Sequence, residues 1–506
     1  MRLFSTTLVA LLFSQMLLAQ DQPHPVTNPG GCGTVGHTSW LNWYRQNKGL
    51  LSDDMARGSD STWLYVPVTV HLIGRNSGTG QFRMEDAIRA ICEMNAQYKP
   101  AYIQFYLHPG EPVVYTNNSE WFEHDWDGGS DMINSGNAGR EDRLNAYVVD
   151  DPAGNCGYSW QDAIVLAKNC SGSGNTTWAH EAGHHFSLPH PFLGWEGTNW
   201  QPGSPAPAQV SWNEVEKLDG SNCHEAGDYF CDTRPDYLSY RWSCDDNRES
   251  IVLLTDPNGE TFRADATIIM GYALDACASR FSDEQIEAMR TNLYTDHNAY
   301  LVAAEEGPML DDNTLVRLLS PVDSQTVQYN NLTLNWEPVA GADIYIVEVG
   351  LLSNFQVVLA HKAITDGSTS VKISGGIPNN RLLYWRVKAY SYWDVCQPQG
   401  ATQTGVFKTI NLSATNELER VASVELLPNP VFGGGVAQLS IETSESLEGQ
   451  VLMSDAAGRT VSARAVRLNF GSNLLDIPTN ELSPGMYQVA LQTEKGLVVK
   501  RLSVID

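Results

Sequence analysis

Positive charge is what this 506-residue chain lacks most. Its 32 Lys and Arg stand against 59 Asp and Glu, a formal net charge of −27. Such a deficit argues against nucleic acid or an anionic membrane as partner, because both attract basic surfaces. It suits basic substrates or cations such as calcium, and it equally serves plain solubility outside the cell. Long apolar runs are missing too, apart from Leu8 to Ala19. That run follows Met1-Arg2-Leu3 and gives way to Gln20-Asp21, the pattern of a signal peptide over residues 1–20, and it is too short to span a bilayer. No transmembrane segment is therefore expected, and the mature protein is expected to be soluble or attached to a surface by other means. Composition excludes a disordered chain, with 42% hydrophobic and 18% charged residues. Cysteine is sparse outside one stretch: of nine, seven lie from Cys92 to Cys277. In an exported chain they imply disulfides with one thiol left over. The length exceeds one core and implies about three domains.

Residues 180–190 read His-Glu-Ala-Gly-His-His-Phe-Ser-Leu-Pro-His. His180 and His184 lie four apart, so on a helix both imidazoles leave the same face. Glu181 can reach a water held between them, which is the arrangement of a zinc site with Glu as general base. His190 follows six residues later, far enough for the chain to leave the helix and return a third imidazole. Pro189 marks that exit. Three protein nitrogens leave a fourth tetrahedral position open, as catalytic zinc requires. A bare His-Glu-x-x-His also arises by chance on surface helices; the third histidine and the helix stop favour zinc. His185 points about 100° around the helix from His184 and is expected to pack rather than bind metal. His224-Glu225-Ala226-Gly227-Asp228 repeats the opening of the motif with Asp in place of the second His. It is expected to be a loop.

His180-Glu181-x-x-His184-x-x-Ser187-x-x-His190 resembles the long zinc motif of the metzincin metallopeptidases. That resemblance implies a methionine in a tight turn beneath the metal, and Ile268-Ile269-Met270-Gly271-Tyr272 fits, with Gly271 suited to the turn. Met270 is then structural, while Tyr272 would place a hydroxyl on the developing oxyanion. Among metzincins the chain is most similar to the pappalysins, over roughly Tyr65 to Tyr294. The likeness runs through Tyr65–Ile73, Asn145–Val149, Gly157-Tyr158-Ser159, Gly227–Thr233, Cys277 and Phe281-Ser282. Two positions depart from it. Ser187 stands where most members have glycine, and a left-handed backbone there costs roughly 1–2 kcal/mol. Ile268 replaces a polar residue.

The family resemblance implies that Cys244–Cys277 and a bridge involving Cys231 pin the loop carrying the methionine turn. Cys156 and Cys170 could close the loop ahead of the helix; the sequence leaves the pairing open. Gly30-Gly31-Cys32-Gly33-Thr34 lies where a propeptide would sit. Relatives place such a cysteine on the zinc, so Cys32 is read as a latency switch, with a disulfide, for instance to Cys92, as the alternative. Asp228, Asp232 and Thr233 would form a calcium site by the same resemblance; solvated loop acids are the plainer reading.

Downstream, Ser282-Asp283-Glu284-Gln285 opens a helix through about Leu293 with a capping box. A polar linker spans Glu305 to Asn313. Residues 315–412 then turn to alternating strands, among them Leu332–Trp336, Ile344–Val349 and Leu383–Val387. Trp336 with Tyr384-Trp385-Arg386-Val387 resembles a fibronectin type III module. After a second linker near Asn411–Val421, residues 422–506 carry Leu427-Pro428-Asn429-Pro430, a turn at Asp455–Arg459, Pro484-Gly485-Met486-Tyr487 and a final strand from Lys495 to Val504. This order resembles the C-terminal sorting domain of the bacterial type IX secretion system; a plain sandwich module is the alternative. It implies export through the periplasm and a secreted or surface-attached product, with the outer-membrane machinery as partner.

The expected architecture is multidomain: signal peptide 1–20, propeptide 21–60, a metzincin-type α/β (α+β) catalytic domain over 61–305 with a mixed twisted sheet and zinc-binding helix, and two all-β sandwich domains, 315–412 and 422–506. The expected function is zinc-dependent cleavage of protein or peptide substrates, with His180, His184 and His190 on the metal, Glu181 as base and Tyr272 on the oxyanion. The peptide would lie along an edge strand near Gly157–Trp160. A surface-displayed binding protein that has lost catalysis is the rival reading, and a zinc hydrolase of small non-peptide substrates a third.

Overall fold

The structure is a computed structural model that describes residues 24–25, 31–35, 38–48, 62–198, 200–301, 307, 310, 315–393, 395–396, 403–410, 421–456, 458–493 and 496–506. The expected signal peptide lies outside these residues, as does nearly all of both expected linkers. The chain divides into two compact units, Met1–Met309 with Ser391–Gln397, and Leu310–Tyr390 with Pro398–Asp506.

The first unit is built on a six-stranded mixed sheet. Its centre is β1 (Leu64–Gly74), whose residues from Val66 onward are all buried. Val66, Val68, Val70, Leu72 and Ile73 are interleaved with Pro67, Thr69 and His71, and burial on both alternating faces suits a parallel strand covered on both sides. Along one side β1 pairs first with β2 (Ile103–Leu107) and then with β3 (Val113–Asn117), both parallel. On the other side comes parallel β4 (Leu144–Val149), then parallel β6 (Ala163–Ala167). The outermost strand, β5 (Gly157–Trp160), runs antiparallel to β6. This is the mixed sheet the sequence implied, with its one antiparallel strand at the edge.

Short helix α1 (Ser39–Asn47) precedes the sheet. Helix α2 (Met84–Tyr98) buries Ala87, Ile88, Ile91 and Met94 on one face, the spacing of an amphipathic helix. Tyr98 at its end reaches across to α3 (Thr177–His185), where its hydroxyl donates to the Ala179 carbonyl at 3.0 Å. The Tyr98 ring meets Phe105, Phe186 and Phe281 at 4.8 to 6.4 Å between centroids. Aromatic pairs of this kind add about 0.5–1.5 kcal/mol each beyond their buried area, so they fix α3 against the sheet. Helix α4 (Asp283–Thr295) starts with both halves of the expected capping box, Gln285 N to Ser282 Oγ at 3.1 Å and Ser282 N to Gln285 Oε1 at 3.0 Å.

Four disulfides settle the pairing that the sequence left open. Cys156–Cys170, Cys223–Cys231 and Cys244–Cys277 close the loops around α3 and the methionine turn. The fourth, Cys92–Cys396, fastens α2 to the segment Ser391–Gln397. There Trp393 stacks on Tyr106 at 4.0 Å and Leu107 N donates to the Tyr392 carbonyl at 2.9 Å.

Among the described residues the second unit holds two pairs of sheets, each pair comprising three and five strands. In the first, Leu334 and Trp336 of one sheet share a core with Val347 and Trp385 of the other. In the second, Leu439 and Ile441 share a core with Val489 and Leu502. The turn expected at Asp455–Arg459 joins Leu447–Asp455 to Thr460–Leu468 as an antiparallel hairpin. Among the described residues no helix is long and apolar enough to cross a membrane.

Candidate metal centre

Helix α3 carries His180 and His184 one turn apart, as their spacing requires, and its end is built to return His190. Ser187 N donates to the His184 carbonyl at 2.8 Å and Leu188 N to the Gly183 carbonyl at 3.0 Å. This pair of bonds is a Schellman motif, which needs a left-handed residue at Ser187. Ser187 has φ 71°, so the strain expected of a serine in place of glycine is present. Its buried hydroxyl lies 3.3 Å from Asn292 Nδ2, a hydrogen bond that offsets part of that cost. The chain then reverses, and His190 Nε2 arrives 3.1 Å from His184 Nε2, which is itself 3.1 Å from His180 Nε2.

The donors fit a zinc ion. Zn–N bonds of about 2.0–2.1 Å in a tetrahedron separate nitrogens by about 3.3 Å. Each Nδ1 faces an acceptor: the Ile269 carbonyl at 2.8 Å for His180, the Leu188 carbonyl at 2.7 Å for His184, and Glu196 Oε1 at 3.1 Å for His190. A carbonyl only accepts, so those Nδ1 atoms carry the proton and each Nε2 presents a lone pair. Burial pushes His180 down to about 4 and holds His184 and His190 well below the usual imidazole range. Three neutral imidazoles therefore aim lone pairs at one point, an arrangement that calls for a cation.

Glu181 lies beside them, fully buried, and burial raises its carboxyl to about 8. Gly157 makes room for it, since a Cβ there would come within 2.9 Å of both Glu181 Cγ and Oε1. Met270 packs beneath the helix with its sulfur against Gly183, where a Cβ would approach to 2.4 Å. Gly271 N donates to the Ile268 carbonyl at 3.1 Å, closing the turn. Gly271 itself does not adopt a positive φ, contrary to the expectation that the turn draws on its conformational freedom. Ile268 is buried, with no penalty for its apolar character.

Cys32 sits on this cluster. Its sulfur and the three histidine nitrogens all lie within 4.8 Å of one another. It forms no disulfide, and Cys92 bonds to Cys396 instead, which removes the alternative pairing. The thiol, pushed up by burial and by the Glu181 charge, donates to Glu181 Oε2 at 3.4 Å. Tyr272 meets the same residue: Cys32 N donates to its hydroxyl oxygen at 3.1 Å, and the hydroxyl donates to the Cys32 carbonyl at 3.0 Å. Gly33 N donates to the Gly157 carbonyl at 2.8 Å, and Thr34 Oγ1 bonds both the N–H and the carbonyl of Ser159. The segment bridges β5 in the parallel sense. A cavity of about 270 Å³ lies beside it, lined by Thr176, His180, Glu181 and Tyr272. His185, as expected, points elsewhere, its Nε2 3.0 Å from the Tyr300 hydroxyl.

The three residues expected for calcium lie near the start of α4, and the plainer reading, solvated loop acids, does not hold for Asp228. Asp228 is wholly buried rather than solvated, with Oδ1 accepting from Thr233 Oγ1 at 2.8 Å and from Phe230 N at 3.1 Å. Asp232 is exposed, and its Oδ2 accepts from Glu284 N at 2.8 Å. The buried carboxyl beside Asp228, which no motif in the sequence marks, is Glu216. Burial, then the Asp228 charge, raise Glu216 to about 10, while burial raises Asp228 to about 7. The histidine copy at 224 lies in a run of turns, as expected. Glu196 was likewise missed, because no helix or strand periodicity links it to His190.

Residues 425–505 match the model of the secretion system C-terminal sorting domain. That end of the chain is a sorting domain. No curated protein matches the chain. Among solved structures it is similar to a promirolysin variant of Tannerella forsythia, at 19% identity and TM-score 0.38 over 54% of this chain and 97% of that one. It is also similar to the chicken CNTN1 FN1–FN3 domains, at 15% identity and TM-score 0.21 over 40% and 67%. Both likenesses are slight, and the chemistry of the centre rests on its own residues.

Two outcomes follow from this packing. Gly183→Ala should lower stability by about 1–3 kcal/mol in urea unfolding, because overpacking against Met270 exceeds the roughly 1 kcal/mol that alanine gains in a helix; an unchanged midpoint would contradict the contact. Glu216 is protonated in the folded chain and ionised once unfolded, between its ordinary value near 4.5 and about 10. Unfolding releases that proton, so stability should fall as pH rises across this window. Glu216→Gln, melted in chelator from pH 5 to 9, should show a shallower decline than the parent, and a parallel decline would remove Glu216 as its cause.

Proposed function

We propose that the chain is the precursor of a secreted, zinc-dependent endopeptidase held latent by Cys32. The observation that carries this reading is the convergence of His180, His184, His190 and Cys32 on one buried point beside Glu181. The sorting domain at residues 425–505 supports export to the cell surface or beyond, and the type IX route is the reading of its motifs.

Zinc, when bound by the three histidines, supplies Lewis-acid chemistry that polarises a carbonyl and acidifies water. Glu181 takes the proton from the attacking water and returns it to the leaving amine; a carboxyl raised by burial suits both halves of that transfer. Tyr272, whose hydroxyl now bonds the Cys32 backbone, would turn the same donor toward the oxyanion once the segment leaves. The main-chain groups of β5 that hold Gly33 and Thr34 would become available to an extended substrate. In the precursor the Cys32 segment engages the metal-facing position, the base and the oxyanion donor together, which is why we assign it the latency. The rival reading, a binding protein without catalysis, drew on Ser187 and Ile268, and neither residue displaces a ligand or the base.

The test uses the full chain, because Cys92 pairs with Cys396 and a piece ending near residue 305 would lose that disulfide. With a mixed peptide library, the precursor is expected to be nearly silent and Cys32→Ala to cleave. Cleavage should disappear with a zinc chelator. Adding Glu181→Ala should reduce it about 10²–10⁴-fold while zinc content stays at one per chain. A folded, zinc-loaded Cys32→Ala chain that cleaves nothing would sink the endopeptidase assignment. Equal activity with and without Cys32 would sink the latency.

A further inference from the structure

Two of the three histidines orient through backbone carbonyls, Ile269 for His180 and Leu188 for His184. No side-chain substitution removes those acceptors. His190 is different, because its Nδ1 meets a side chain, Glu196 Oε1, at 3.1 Å. Successive turns bring that carboxylate back: Leu193 N donates to the His190 carbonyl at 3.1 Å and Trp195 N to the Phe192 carbonyl at 2.9 Å. The other carboxylate oxygen, Oε2, accepts from Gly194 N at 2.7 Å. The side chain is only 13% exposed, and the Phe192 ring stacks on His190 at 4.5 Å.

We propose that Glu196 is the positioning residue for His190, locking its Nδ1–H tautomer and so presenting Nε2 to the metal. This rests on the zinc reading above. The geometry makes a sharp chemical demand, because Glu196 accepts from two donors, His190 Nδ1–H and Gly194 N–H, with one oxygen for each. A carboxylate satisfies both. An amide of the same shape satisfies one and turns its NH₂ toward the other. If the NH₂ faces His190, it favours the tautomer whose Nε2 carries the proton, and that nitrogen cannot bind metal. Partners of this kind typically change metal affinity about 10–100-fold, and a carboxylate also makes its imidazole a more basic ligand.

The experiment uses the full chain with Cys32→Ala in every arm, so that the thiol contributes no ligand. Zinc dissociation constants are measured by competition with a chelator, the visible spectrum is recorded with cobalt in place of zinc, and the metal-free melting point is taken alongside. Glu196→Gln is expected to bind zinc about 10–100-fold more weakly and to shift the cobalt bands. Glu196→Asp keeps the charge but withdraws it by one methylene; it should fold, bind more weakly than the parent, and serve as the deciding variant should Glu196→Gln not fold. If Glu196 merely braces the turn through Gly194, the metal-free melting point falls while zinc affinity and the cobalt spectrum stay at the parent values, and the proposal is overturned. A parent chain that binds no zinc would bring down the function proposed above, an outcome distinct from failure of the Glu196 variants alone.

Discussion

The structure around α3 depends on one electrostatic constraint. Three imidazoles are buried and neutral, with their lone pairs directed at a single point. Such an arrangement is unfavourable unless each ring is held in one tautomer and a cation balances the lone pairs. The neighbouring features serve that demand. The Leu188 carbonyl that ends the helix also accepts from His184, and the Ile269 carbonyl of the methionine turn accepts from His180. The turn and the helix end are thus part of the centre, as well as its frame. Gly183 allows the turn close enough to reach, and Met270 fills the space below.

The same economy of contacts appears in the segment around Cys32. Within one residue the sulfur faces the histidines, the thiol bonds Glu181, and the backbone bonds Tyr272 at both its N–H and its carbonyl. Its neighbours tie to β5, so the contact is held by main chain on one side and by the Glu181 and Tyr272 side chains on the other. Further along, α1 adds Trp40 Nε1 to Thr295 Oγ1 at 2.9 Å and the Arg45 guanidinium 3.6 Å over the Tyr229 ring, and Lys48 just past its end adds an ion pair to Glu284 at 3.2 Å. The last of these is worth little on a surface exposed to salt. The ring and indole contacts, being less exposed to screening, do more to keep the segment seated.

Some of this was legible before any fold. The four-residue spacing of His180 and His184 and the departure of the chain from the helix before His190 are local facts, although the helix ends at His185 through the left-handed Ser187, ahead of Pro189. The strain at Ser187 was implied by the family resemblance, in which glycine is usual at that position, and the capping box at Ser282 was legible in four consecutive residues. Other expectations failed for want of context. Gly271 does not take the positive φ that glycine alone adopts freely, and Asp228 is no solvated loop acid, since it is buried and accepts from Thr233 and Phe230.

Chemistry confined to a turn or two of helix was legible from the residues alone: which nitrogens share a face, that the chain must leave the helix before His190, and which residue types could take a proton beside a metal. What those groups face emerged with the packing of distant elements. It put Cys32, 148 residues before His180 in the numbering, against the histidines; it paired Cys92 with Cys396; and it folded Glu196 back on His190 through irregular turns. The physical reason is that burial and lone-pair direction depend on elements distant in sequence, and no periodicity records the packing that brings them together.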